Sequence, residues 1–421
     1  MDGPTLTLFL VQIGLVLAIP LCMAKLLERL SLSPLVVELL CGVLLGPSVF
    51  GMLAPHLFAQ VFPAAGGATL AREAVTELGL LLFVFMAGLE IQPQRLRSLG
   101  MPIFWTSFLG ILAPLVLGMG SVLLWPSFWR GGAPGRVPLL ALFVGTILSI
   151  SALPVIARIL MDLRLMKTDL GVIVMSAAML DDLAGWGLFA VILSNFGGEG
   201  HSPRNWWASL VTVLLVFALL LNLSNKRIQQ AVGWLNLPKK TLQLKLTFLV
   251  LMTAAIFTQV VGTHATLGAF LAGIALGRIP EARQLAHESF YRTTAGIFAT
   301  LYFVSIGLKA NFVASFDLLL AGFVLLIACA GKISGVFLGA TLGGKKPREA
   351  LMVALGMNAR GAMGIVLTAV ALEYGLIDQR IFVALIIMAL ATSVLSAVGI
   401  KHLLGGGQAV PQPEEQADVL P

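Results

Sequence analysis

Two adjacent carboxylates, Asp181 and Asp182, lie in an otherwise uncharged apolar stretch running from Leu170 to Phe196. A bilayer is crossed by about 20 apolar residues, so this stretch is long enough to span one. A charged side chain at that depth costs roughly 2.5–3.5 kcal/mol on insertion scales, and two in a row need a reason. One reason is an ion or proton site facing a water-filled cavity. The other reading is a short soluble or interfacial loop mistaken for a span. Lys332 poses the same question between Ala330-Gly331 and Ile333-Ser334-Gly335, with no neighbouring acid in its own run. An unpaired lysine there is neutral or very costly, so a partner from another helix is expected, Asp181 or Asp182. Two acids facing one lysine leave a carboxylate for a cation or a proton, unless the pair serves only to hold helices together.

Two further places carry polar groups in apolar runs. Thr146, Ser149, Ser151 and Pro154 fall within nine residues. Proline removes a backbone donor and clashes with the preceding turn, so the hydroxyls and freed carbonyls could coordinate a dehydrated cation. Alternatively, this is an ordinary kink with the hydroxyls bonded back to their own helix. Later, Asn358-Ala-Arg360-Gly361 is followed by Gly364. Arg360 is either buried near the same depth or snorkels to the surface.

Composition decides the class of molecule that holds these residues. With 58% hydrophobic and 11% charged residues and a mean hydropathy of +0.97, the chain reads as a polytopic membrane protein, since soluble domains carry about 25% charged residues. The pI near 9.5 does not point to nucleic acid, because the basic residues sit in short links between apolar runs. Cys22, Cys41 and Cys329 lie in apolar segments without metal-ligand spacing and read as small packing residues. His56, His201 and His402 lie near span ends or in loops. His264 in a turn and His287 in a link are open to pH sensing. Nothing suggests enzymatic chemistry, a cofactor, or a metal beyond a transported ion.

The apolar runs fall at about 6–27, 33–52, 74–91, 101–125, 137–160, 168–195, 207–223, 242–261, 264–278, 292–308, 316–342, 350–373 and 380–404. The fold class expected is therefore all-α and polytopic, with about 13 transmembrane helices. The run 6–27 lacks a basic leader and a cleavage site and reads as a retained span. If the amino terminus is outside, the inside links carry most of the 27 basic residues, which fixes the carboxyl terminus inside. Residues 1–404 read as one transmembrane domain: a first repeat at about 6–195, a linking helix at 207–223 and a second repeat at 242–404. Residues 405–421 read as a disordered cytosolic tail, too short for a nucleotide-binding domain.

The halves echo each other. Gly42-Val-Leu-Leu-Gly46 matches Gly273-Ile-Ala-Leu-Gly277, and Phe85-Met-Ala-Gly88-Leu89 resembles Val304-Ser-Ile-Gly307-Leu308. Both matches pair runs seven apart, and an odd offset means repeats of opposite direction, the layout of many secondary transporters. The same offset pairs the fifth run with the twelfth, whose interruptions would then meet at the midplane.

A family resemblance rests on Gly42 to Pro47, Phe85 to Glu90, Ser149-Ile-Ser151-Ala-Leu-Pro154-Val155-Ile-Ala-Arg158-Ile-Leu160, Asp181-Asp182-Leu-Ala-Gly-Trp186, Phe303 to Leu308 and Gly356-Met-Asn358-Ala-Arg360-Gly361. On these residues the chain resembles the monovalent cation:proton antiporter-2 family, which contains NapA-type sodium/proton exchangers, Kef-type potassium systems and plant cation/proton exchangers. The resemblance implies an NhaA/NapA-like inverted-repeat fold with two crossing discontinuous helices. It implies that Asp182 binds cation and proton, that Asp181 is the acid of electrogenic sodium exchangers, and that Lys332 pairs with Asp181 and is released as ions bind. It further implies an elevator motion, a homodimer and a bacterial inner membrane. The expected activity is electrogenic exchange of cytosolic sodium or lithium for external protons. The alternatives are potassium or mixed exchange, a channel-like protein, and a proton-coupled organic-anion transporter. The chain departs from the resemblance in having Gly364 where plant-type relatives carry Glu, and in ending without a Kef-type nucleotide-sensing domain.

Overall fold

The computed structural model describes residues 2–27, 34–90, 100–129, 137–163, 165–166, 168–194, 215, 240–260 and 264–405. Every regular element among them is helical. The main ones are α1 (Gly3–Leu27), α2 (Pro34–Leu45), α3 (Gly67–Glu90), α4 (Met101–Leu124), α5 (Val137–Ser149), α6 (Leu153–Asp162), α7 (Asp169–Ser194), α8 (Lys240–Val260), α9 (Ala265–Gly277), α10 (Pro280–Thr293), α11 (Ala299–Lys309), α12 (Leu318–Leu342), α13 (Pro347–Met357), α14 (Ala362–Glu373) and α15 (Gln379–Gly405). Among the described residues six stretches are long and apolar enough to cross a membrane: Gly3–Met23, Pro34–Leu53, Met101–Leu124, Asp169–Phe189, Leu318–Leu342 and Gln379–Leu404. The stretch around Asp181 is thus one continuous helix, which removes the loop reading. The linking run at 207–223, apart from Leu215, and the tail beyond Gly405 lie outside the described residues.

Two apolar runs are each split into half-helices. In a continuous helix the ring of Pro154 would collide with the carbonyl of residue 150. The chain instead leaves α5 at Ser149 and restarts α6 with proline at its second position, where a missing N–H costs nothing. Likewise α13 ends at Met357 and α14 starts at Ala362. The interruptions press together: the Ala152 N–H donates to the Ala359 carbonyl at 2.9 Å, and a Cβ added at Gly361 would lie 2.8 Å from Val155 Cγ2.

The helices pack into two groups. One holds α1, α2, α3, α8, α9, α10 and α11; the other holds α4 to α7 and α12 to α15. Inside the first group, glycines let backbones touch. A Cβ at Gly42 of α2 would sit 2.2 Å from the Val304 carbonyl of α11, and one at Gly273 of α9 would sit 2.2 Å from the Phe85 carbonyl of α3. These are the same glycines that echo each other in sequence, and each echo meets the other's partner. In the second group Gly331, Gly335 and Gly339 form a column that draws α12 onto α4. There an added Cβ would lie 2.3 Å from the Leu109 carbonyl at Gly335 and 2.2 Å from that of Trp105 at Gly339. Between the groups runs an apolar seam including Leu80, Phe270 and Phe303 from the first and Phe143, Ile147 and Ile365 from the second.

One boundary differs from expectation. The run placed at 292–308 is the end of a longer helical segment: α10 begins at Pro280 and passes through a π-turn, Thr294–Phe298, into α11. Charged residues such as Arg283, Glu288 and Arg292 hide that start from a hydropathy reading.

Candidate functional site

The glycine column of α12 sets Lys332 against α4, and there its ammonium is fully used. Nζ donates to Asp181 Oδ2 at 2.5 Å, to the Ser149 carbonyl at 2.6 Å and to the Gly110 carbonyl at 3.0 Å. An ammonium has three N–H donors, so three acceptors satisfy it. Both side chains of the ion pair are 0% exposed. Of the two acids considered as partners, the lysine takes Asp181. Asp182 follows on α7, half-buried, and its charge also acts on Lys332.

The crossing collects carbonyls. A helix leaves its last four C=O groups without intrahelical partners and carries negative charge at that end. The carboxyl ends of α5 and α13 both point these groups at the crossing, and cations meet them. Lys332 takes Ser149. Arg360, 3% exposed, donates to the carbonyls of Leu148 at 2.7 Å, Ala328 at 3.1 Å and Asn358 at 3.2 Å, and to Asn358 Oδ1 at 3.1 Å. Arg360 is therefore buried rather than snorkelling. Carbonyls, rather than an acid at position 364, receive its hydrogen bonds, and the charge of Asp181 acts on it as well. Asn358 is itself buried, its Nδ2 lying 3.5 Å from Cys329 Sγ.

The hydroxyl candidates separate. Thr146 Oγ1 donates to the Leu142 carbonyl at 2.7 Å and Ser149 Oγ to the Thr146 carbonyl at 2.8 Å, each within its own helix. Ser151 alone of the three reaches the acids: its Oγ lies 2.7 Å from Asp181 Oδ2 and 2.7 Å from the Met357 carbonyl, stitching α7 to the end of α13 across the break. Pro154 is the second residue of α6 and part of the break. Asp181 Oδ1 is buried without a hydrogen-bond partner among the described residues. A buried carboxylate oxygen so left can receive a proton or a cation.

Two further residues, Gly110 and Ser393, take part at the crossing. Gly110 acts through its carbonyl, which any residue would offer, although its place opposite the glycine column of α12 is a cue. Ser393 of α15 donates its hydroxyl to the Arg360 carbonyl, which fixes the second break from behind. His264 caps α9, its Nδ1 accepting from the Thr266 N–H at 3.2 Å, and His287 stacks on Tyr291; both lie outside the crossing. Among the described residues no three or more His, Cys, Asp or Glu side chains gather as a resident metal would need.

The chain is similar to known proteins along nearly its whole length. The family described as sodium/hydrogen exchanger, transmembrane, matches residues 15–405. Cation/H(+) antiporter 17 of Arabidopsis thaliana is 32% identical over 402 residues, covering 93% of this chain and 48% of the relative. Na(+)/H(+) antiporter NhaS4 of Synechocystis is 29% identical over 407 residues, covering 94% of this chain and 97% of the relative. The chain thus spans about half the length of the plant relative and nearly all of the cyanobacterial one. The solved sodium proton antiporter MjNhaP1 of Methanocaldococcus jannaschii shares the fold, with a TM-score of 0.65 at 18% identity, over 94% of this chain and 96% of that one.

Proposed function

Since the chain belongs to the transmembrane sodium/hydrogen exchanger family, we propose that this multi-pass membrane protein is an electrogenic antiporter exchanging sodium or lithium for protons. One observation carries the reading: a fully buried Lys332–Asp181 pair of 2.5 Å, at the crossing of two broken helices, with a second acid next in sequence.

The chemistry follows from competition. Asp181 and Asp182 bind either a dehydrated cation or protons. An arriving cation takes Asp181 from Lys332, which gives up a proton as it is displaced; the neutral amine still has two N–H donors for the carbonyls of Gly110 and Ser149. When the cation leaves, one proton returns to Asp182 and one to Lys332, and the Lys332–Asp181 pair reforms. Either loaded form carries less net charge at the site than the empty form, whose uncompensated acids a low-dielectric path penalises. That penalty makes exchange obligatory. With two acids and one displaceable lysine, two protons per sodium is the favoured stoichiometry. Ser151, already against Asp181, is the neutral oxygen best placed to join a bound cation, ahead of Thr146 and Ser149.

The two packed groups of helices suit an elevator, one moving against the other along the apolar seam. The echoed glycine contacts, Gly42 on α11 and Gly273 on α3, support repeats of opposite direction. A homodimer in a bacterial inner membrane, amino terminus outside, completes the proposal. Potassium or mixed exchange is the second reading. It is favoured by the plant relative's name, which leaves the cation open, and by selectivity that depends on fine site geometry.

The test is purified protein in liposomes with an imposed pH gradient and a lumenal pH dye. Sodium, lithium, potassium and rubidium are added in turn, with Asp182→Asn as control. A response to sodium and lithium alone, lost in the variant, is the expected result. An equal response to potassium moves the assignment to the second reading, and no response to any of them overturns both.

A further inference from the structure

Away from the crossing, at one end of the molecule, a second charged set bridges the two helix groups. Lys309 closes α11 of the first group and Glu373 closes α14 of the second, and Nζ lies 3.4 Å from Oε2. The side chains are 42% and 56% exposed. A cavity there is lined by Thr76, Glu77, His264 and Tyr302 as well as by this pair. Glu77 stands on α3, in the same group as Lys309, and feels the charges of both Lys309 and Glu373. Other contacts between the groups gather at this end: the Asn311 N–H lies 3.5 Å from Gln379 Oε1, and the ring of His264 meets that of Tyr374 edge-on. At the opposite end the described ion pair Lys345–Asp169 stays within the second group.

We propose that Lys309 is a gating residue of the exchange cycle, clasping Glu373 while the groups are closed at this end and passing to Glu77 when they part. The inference rests on the exchange reading above. A clasp broken in every cycle must be weak, and an exposed ion pair is. Its loss shifts an equilibrium by only about five-fold at most. Glu77 makes the opening cheaper still, because the lysine leaves one carboxylate for another on its own group and is never stranded. The two acids therefore act in opposite senses: Glu373 favours the closed arrangement and Glu77 the open one.

That opposition is the test. Cation KM is measured separately from each face of sealed vesicles, for the wild-type protein and for Glu373→Gln, Lys309→Gln and Glu77→Gln. The face at the Lys309 end is identified by its reactivity with an impermeant thiol reagent in Lys309→Cys. Binding from a face weakens as the state open to that face becomes rarer. Glu373→Gln is expected to lower KM at the Lys309 face by about two- to five-fold and raise it at the other. Glu77→Gln is expected to do the reverse, and Lys309→Gln, which removes both pairings, to do less than either. If the acids only attract cations, both Gln variants raise KM at the Lys309 face, and that result overturns the proposal. Should Glu77→Gln fail to fold, a Lys309→Cys/Glu373→Cys pair can be bridged by a reducible bis-thiosulfonate, with Cys22, Cys41 and Cys329 replaced. Exchange that stops on bridging and returns on reduction supports the clasp, and exchange that continues through complete bridging overturns it. Wild-type protein that exchanges no monovalent cation overturns the exchange reading itself, a distinct failure.

Discussion

At the residue scale the buried pair sets the strongest expectations. Removing one partner of a buried ion pair costs about 3–5 kcal/mol, because the other charge is left uncompensated. Lys332 differs from a bare charge, since the carbonyls of Gly110 and Ser149 remain to it. Asp181→Asn should therefore fold with stability lowered by less than the roughly 3 kcal/mol at the bottom of that range. Its main effect should be on charge moved per cation, read from the response of exchange to an imposed membrane potential. Unchanged charge movement would remove Asp181 from the coupling. The hydroxyls make a second, sharper comparison. Ser151→Ala takes away the contact with Asp181 and the Met357 carbonyl, a loss of about 1–3 kcal/mol at a buried site. Thr146→Ala and Ser149→Ala delete only bonds within their own helix. Cation KM should rise several-fold in the first and stay within about two-fold in the others, and equal rises in all three would show that neighbouring hydroxyls turn toward the ion.

Elements place these residues, and glycine contacts place the elements. A Cβ at Gly42 or Gly273 would be driven to within 2.2 Å of a facing carbonyl, whereas one at Gly364 meets nothing within 4 Å. Overpacking of this kind costs about 1–3 kcal/mol or more. Gly42→Ala and Gly273→Ala should accordingly lower the thermal midpoint in detergent while Gly364→Ala does not, and a loss at Gly364 of equal size would mean that the crossing, not the glycine contacts, limits stability. What the sequence reveals, and what it hides, divides along the same physical line. The pairing of Lys332 with one of two acids is legible because an isolated charge at that depth is unaffordable. The breaks are legible because Pro154 disfavours a continuous helix, although α1 and α4 carry Pro20 and Pro114 inside, and because Asn358-Ala-Arg360-Gly361 interrupts an apolar run. The fate of Arg360 is not legible, since it is decided by the carbonyls of Leu148 and Ala328, and backbone acceptors look alike in every residue type. The same holds for Gly110. The π-turn at Thr294–Phe298 is hidden too, because it joins a charged half to an apolar half of one helical segment and shows in neither pattern.

For the whole molecule, one site contested by two ligands, as proposed, would dictate how exchange responds to pH. Protonation removes the carboxylate that a cation needs, so falling pH must weaken cation binding and rising pH strengthen it. If one proton competes, apparent KM rises about tenfold per pH unit below the site's midpoint, and more steeply if two compete, by mass action. The maximal rate at saturating cation should stay level over the same range, because enough cation displaces the protons. A protein whose pH response comes instead from a separate sensor, such as His264 at the bundle end or His287 on α10, loses maximal rate while KM holds. Measuring both constants across the range in liposomes, with internal and external pH set independently, separates the cases. The buried geometry favours competition: Asp181 is reached by Lys332, Ser151 and the field of Arg360 all at once, so any cation that binds there must take the place of a proton or of the lysine. A flat KM with a falling maximal rate would move control of transport out of the crossing and into the seam between the two groups.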